Sequence, residues 1–337
     1  MTLTRRQFGA TAGAAALSFG IPGAASAQAP IIIKFSHVVT NDTPKGKGSL
    51  KFKELAEKYT AGKVKIEVYP NSQLYKDKEE MEALSLGAVH FLAPSTAKFA
   101  PLGVREFEAL DLPYVFPTQE IYDKVAKGPV GKYLLDKLEP KGIKGLAFWD
   151  NGFHMVSANK PLRKPEDFKG LKVRISGSKV ADAYFRKLGA LPQIMAFSEV
   201  YQALQTGVVD GCENTPSNYY TQKFHEVQKH ITQAYHGHLS YAVIANAKFW
   251  NGMAPDIRTA LEKAMIEATD YANSIAIKEN EESLEAIKAT KLTTIYELTK
   301  DERKVWFDAL LPVHKDVEPR VGKDIIALLH KEAGFKV

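Results

Sequence analysis

One cysteine, Cys212, stands in a chain of 337 residues. A single thiol cannot close an internal disulfide, and a chain of this length buries enough apolar surface to fold without one. No apolar run reaches the roughly 20 residues of a membrane span; the run from Gly9 to Ile21 is short and rich in Gly and Ala. Catalytic signatures are missing too: the chain has no Gly-x-Ser-x-Gly elbow and no His-Glu-x-x-His, and Gly46-Lys47-Gly48 lacks the third glycine of a dinucleotide fingerprint. His236-Gly237-His238 sets two imidazoles on one side of a strand with no evident third ligand, so neither a metal nor another cofactor is expected. There is no repeat of fixed period and no low-complexity tract past the N-terminal segment.

The charge that is present is mixed. Lysine and arginine number 45 against 39 acids, a net +6, but the lysines lie scattered among glutamates, which argues against a nucleic-acid partner. Thr4-Arg5-Arg6-Gln7-Phe8, the apolar run and the small residues Ala25-Ser26-Ala27 together read as a secretory signal over residues 1–27. The paired arginines favour the twin-arginine route. Cleavage after Ala27 would remove two arginines and no acids, taking the charge from +6 to +4 (6 − 2). The expected location is the periplasm, and the expected state a monomer.

Length alone predicts about two domains. Ile31 to Ser36, Lys63 to Tyr69 and Ala88 to Ala93 read as strands, with helices over Gly46 to Tyr59 and Lys76 to Leu86 between them. A second set follows, with strands over Ile143 to Trp149, His154 to Ala158, Leu171 to Ile175 and Val208 to Glu213, and helices over Lys179 to Leu188 and Phe197 to Gln205. Alternating short apolar runs and helical periods signify an α/β fold built on sheets. Tyr241 to Asn246 reads as a further strand. After Pro255, as far as about Ile287, there is neither proline nor glycine, and apolar residues recur at helical spacing, which predicts one helix of unusual length.

Two residues stand where a ligand would meet such sheets. Arg174 lies near the end of its strand and Asn214 just past the end of another, and ligands of open α/β sheets collect outside the carboxyl ends of strands. A guanidinium matches both oxygens of a carboxylate and an amide can donate to one of them, so the pair predicts a receptor for a small organic anion. His37, in the polar loop after the first strand, with Ser95 and Thr96 after the third, would supply the opposite wall; Lys45 lies in the same loop region as His37. Phe197 could pack on the ligand's carbon skeleton.

Gly170-Leu171-Lys172-Val173-Arg174-Ile175, Tyr69-Pro70-Asn71-Ser72-Gln73-Leu74, Trp149-Asp150-Asn151-Gly152-Phe153 and Met195-Ala196-Phe197-Ser198-Glu199-Val200-Tyr201 resemble the solute-binding subunits of TRAP transporters, most closely the C4-dicarboxylate-binding (DctP-type) branch. The resemblance runs from about Phe35 to the C-terminal helices. It implies a two-domain periplasmic binding protein, type II-like, with a hinge and a long helix across both domains. The implied division is 28–151 plus 240–279 for the first domain and 152–239 plus 280–337 for the second. It also implies a C4-dicarboxylate ligand such as succinate, fumarate or malate. The implied partners are the small and large permease subunits (DctQ- and DctM-type), met by peripheral contact at the inner membrane.

In related proteins a glutamate like Glu213 orients the binding arginine, and its neighbours here should be Arg174, His154 and His236. The position of His154 usually carries lysine or arginine in that family, so a permanent cation is replaced by an imidazole, whose ordinary pKa is about 6.5. Other carboxylates (keto, sugar or aromatic acids) remain alternatives as ligand. A lyase or isomerase of dicarboxylates and a module presenting a bound acid to a sensor are alternatives as function.

Overall fold

Along Ile31–Ser36 the side chains of Ile33 and Phe35 point inward and are fully buried with Phe52, Phe91 and Trp149 in one core. This strand, β1, belongs to a computed structural model that describes residues 29–336; the segment read as an export signal lies outside the described residues. The remaining strands are β2 (Val64–Tyr69), β3 (Phe91–Leu92), β4 (Ile143–Phe153), β5 (Met155–Ala158), β6 (Lys172–Ile175), β7 (Leu191–Ile194), β8 (Gly211–Asn214), β9 (His230–Gln233), β10 (His238–Asn246) and β11 (Thr294–Glu297). They form two sheets, ordered β2-β1-β3-β10-β4 and β11-β9-β5-β8-β6-β7. In the first, β1 runs parallel to β2 and β3 while β10 is antiparallel to β3 and β4. In the second, β6 is parallel to β7 and β8, and β5 is antiparallel to β8 and β9. Each sheet carries helices, giving two α/β lobes.

The chain passes between lobes at His154, linking β4 to β5, and at Ala234 to Gly237, linking β9 to β10. These crossings are hydrogen-bonded to each other: His154 N donates to Gly237 O and Tyr235 N to His154 O, both at 2.9 Å. The strand expected to stop at Trp149 runs on to Phe153, where it pairs with His238. Gly152 allows this: its φ is +94°, and a Cβ there would lie 2.6 Å from Asn280 Nδ2.

The helix Pro255–Thr290 is 36 residues long, about 54 Å at the usual rise. Its polar side chains staple it to the crossing. Thr269 Oγ1 accepts from Trp149 Nε1 at 2.9 Å, and Asn273 Oδ1 accepts from Asp150 N at 2.9 Å. Asn280 takes Ser217 N of the second lobe on Oδ1 and donates from Nδ2 to Asn151 O, each at 3.0 Å. Gly48 of the helix Pro44–Tyr59 lets that helix approach closely, since a Cβ there would meet Ala272 Cβ at 2.8 Å. The glycines of Gly46-Lys47-Gly48 therefore serve close packing rather than a phosphate.

Other elements are shorter than expected or broken where one continuous run was expected. The second helix is confined to Glu80–Ser85, the third strand to Phe91–Leu92, and the stretch after Ala196 splits into a 3₁₀ turn, Phe197–Glu199, and the helix Val200–Thr206. The C-terminal helix Lys323–Ala333 packs on the helices Gln119–Lys127 and Pro129–Asp136, where the Glu332 carboxylate accepts from Val130 N at 3.3 Å. Those partners precede β4, so the tail does not pack on the second-sheet lobe alone.

Candidate functional site

The carboxyl ends of β1, β3, β6 and β8 meet around one cavity that opens to solvent. From the second lobe it is lined by Arg174, Ser176, Phe197, Glu213, Asn214 and Asn218. Val39, Lys45, Asp77, Glu80, Ser95, Lys98 and Tyr241 line it from the first, with His154 at the crossing. Of the residues expected from sequence, Arg174, Asn214, His154, Ser95, Phe197 and Glu213 lie on this wall.

Arg174 is 4% exposed. Its Nε and Nη2 donate to one acceptor, the Met195 carbonyl, at 3.2 and 2.9 Å. Of five N–H donors this uses two and leaves the Nη1/Nη2 edge, the geometry that meets a carboxylate in bidentate fashion. Its guanidinium carbon stands 5.7 Å from the Phe197 ring centroid. Burial pulls its pKa down, opposed by Asp77, Cys212 and Glu213, but a guanidinium titrates so high that the charge remains. Asn214 Oδ1 accepts from Asn218 Nδ2 at 2.7 Å and from Thr215 N at 3.0 Å. Those bonds set the amide so that Nδ2 is the end free to donate.

Glu213 does not hold the arginine by a hydrogen bond. Its Oε2 accepts from Tyr184 OH and pairs with His236 Nε2 at 3.0 Å, while Met195 orients Arg174. His154 Nδ1 lies 3.4 Å from the same oxygen, too oblique for a hydrogen bond yet close enough to feel its charge. Burial alone would push the Glu213 carboxyl up, but His154 and His236 outweigh it and hold it below the ordinary range. His236 is fully buried behind Glu213, enclosed by Tyr184, Phe185 and Trp306, and does not line the cavity.

His37 is likewise displaced from its expected place. It turns inward from the loop after β1, with Nε2 3.2 Å from Ser49 Oγ, and burial followed by the Lys45 charge lowers its pKa to about 3. Val38 and Val39 present that loop to the cavity instead. Thr96 lines a smaller space beneath and donates to Asp111 Oδ1 at 3.2 Å.

Four charged residues of the first lobe complete the wall. Lys45, 1% exposed, donates to Ala93 O at 3.0 Å and lies 3.7 Å above the Tyr241 ring; burial lowers its pKa to about 8, against Glu80 and Asp77. Lys98 pairs with Asp77 Oδ2 at 2.7 Å and reaches across the cleft to Ser176 O at 2.7 Å. Asp77 accepts from Phe197 N at 3.3 Å, a second link between lobes. Asp77, Glu80 and Lys98 were missed in the sequence, although Lys98 follows Ser95 at one 3₁₀ turn's spacing.

Two α/β lobes joined by crossing strands, a long helix bound to both, and a polar cavity where strand ends converge define a two-lobed ligand-binding protein. Residues 35–320 match the family model for bacterial extracellular solute-binding proteins, family 7 (DctP), and the chain belongs to that family. It is 62% identical over 325 residues to the C4-dicarboxylate-binding periplasmic protein DctP of Rhodobacter capsulatus, covering 96% of this chain and 97% of that one. The fold superposes with a TM-score of 0.88 on a TRAP periplasmic solute-binding protein of Shewanella oneidensis with bound succinate, 42% identical over 90% of this chain and all of that one (100%). For a counterpart from Pseudomonas aeruginosa with bound L-malate the TM-score is 0.83 at 42% identity, covering 85% of this chain and 100% of that one.

Proposed function

We propose that this chain is the periplasmic solute-binding protein of a TRAP transporter, that it captures a C4-dicarboxylate such as succinate, fumarate or malate between its lobes, and that it delivers the ligand to the membrane permease subunits. Arg174 and the Asn214 amide take one carboxylate. Lys45, at the first-lobe wall, meets the other, and Phe197 with Val39 covers the carbon chain. His154 and Glu213 set the charge beside the Arg174 end, and Ser95 offers a hydroxyl at the opposite wall. Closure replaces the anion's water with fixed donors in a site of low dielectric, where hydrogen bonds to charge strengthen. The observation that carries this reading is the guanidinium buried at the end of β6 with its bidentate edge unspent. The domain division follows the crossings: one lobe carries the first sheet, the other the second, with the hinge at Gly152 to His154 and Ala234 to Gly237.

Thermal-shift and calorimetric titration of the purified protein with a panel of organic acids tests it. Succinate, fumarate or malate should raise the melting temperature by mass action. A shift with sugar or aromatic acids alone, or none with any acid, would contradict the assignment.

A further inference from the structure

Three acids line the cavity, and two are engaged. Asp77 holds Lys98 and the Phe197 amide, and Glu213 holds Tyr184 and His236. Glu80 is 1% exposed, yet among the described residues its carboxylate accepts no hydrogen bond and has no basic partner within 4.0 Å. An ionised carboxylate buried without donors is costly, and here it would face an incoming dianion. As a neutral acid the same group becomes a hydrogen-bond donor.

We infer that Glu80 is a further ligand-contacting residue, and that the cavity binds its dicarboxylate together with one proton, which Glu80 takes from solvent and presents to the ligand as a carboxylic acid. The inference rests on the dicarboxylate reading above. The step is a single addition: solvent supplies the proton, the Glu80 carboxylate receives it, and no other bond changes. The groups facing Glu80 are Lys45 from the first helix, Asp77 from the preceding turn, Lys98 from the 3₁₀ turn after β3, and Tyr241 from β10. Burial raises the Glu80 pKa to about 7, with Lys45 and Lys98 opposing and Asp77 reinforcing. A bound dianion adds negative charge and drives the proton on. Lys45, already lowered to about 8, would gain protons from the same cause at higher pH, so the two sources have to be separated.

Calorimetry of succinate binding at pH 7 in buffers of different ionisation enthalpy counts the protons taken up. About half a proton per ligand is expected from a group half ionised before binding, and affinity should rise about tenfold from pH 8.5 to 6. Glu80→Gln keeps the shape without the charge. It should lose most of the uptake at pH 7 and bind more tightly than wild type at pH 8.5, with thermal melts confirming the fold of both proteins. No uptake by wild type, an undiminished proton count in the variant, or an equal loss of affinity at every pH would overturn the inference. Failure of wild type to bind any C4-dicarboxylate would instead contradict the reading on which it rests.

Discussion

Arg174 and Met195 are joined by two hydrogen bonds that converge on one carbonyl oxygen, from Nε and Nη2. The backbone of the residue that follows β7 thus fixes the guanidinium plane, and the outer edge is set before any ligand arrives. Pre-organisation of this kind lowers the ordering cost of binding. Lysine cannot reproduce it, because an ammonium offers no planar fork. Arg174→Lys, with charge conserved, should weaken succinate binding by about 100-fold or more, the loss of a bidentate charged contact. Calorimetry checks this.

Lys98 and Asp77 form a clasp that closes on the second lobe through Ser176 O and Phe197 N. Lys98→Ala leaves Asp77 buried without its cation, a cost that falls chiefly on the closed form. Ligand release should accelerate by about tenfold or more while association changes little. Stopped-flow traces of bound-ligand chase measure both rates.

Asp111 is buried beneath the cavity with Oδ1 held by Thr96 and Oδ2 unpartnered, and burial raises its pKa to about 7, opposed by the nearby Ser178 hydroxyl. An acid with a raised folded pKa keeps its proton while the unfolded chain has lost it. Its contribution is therefore intact below about pH 4 and declines as pH rises to about 7, above which the loss is constant. Asp111→Asn should be stabilising relative to wild type by an amount growing over that window to about 4 kcal/mol at most. Urea titrations at pH 4, 5.5, 7 and 8 test the sign.

Asn280 satisfies Asn151 O and Ser217 N, one at the crossing and one in the second lobe. Asn280→Ala leaves both buried groups unpaired, at about 1–3 kcal/mol each when nothing replaces the partner. A loss of about 2–4 kcal/mol in unfolding free energy is expected by urea denaturation, and little change would show that the long helix is held elsewhere.

The sequence located what depends on strand ends. Arg174 and Asn214 were readable because an apolar run stops beside each, and the α/β class because the runs alternate with helical periods. The inward turn of His37 was not, since its partner Ser49 sits in a helix whose packing is a tertiary outcome. Lys45 shows the same limit: a lysine in a first helical turn reads as solvated, and only Tyr241, far along the chain, makes it a cavity residue. Glu213 had the right neighbours in His154 and His236, but the Met195 carbonyl took the arginine. A backbone acceptor leaves no mark in residue type.

The account centres on where the two ends of the ligand lie, and a crystal structure of the succinate complex reads that directly. One carboxylate should sit within about 3 Å of the Arg174 Nη1/Nη2 edge, beside Asn214 Nδ2, with the other near Lys45 and Glu80. Succinate bound with Arg174 facing neither carboxylate would contradict it.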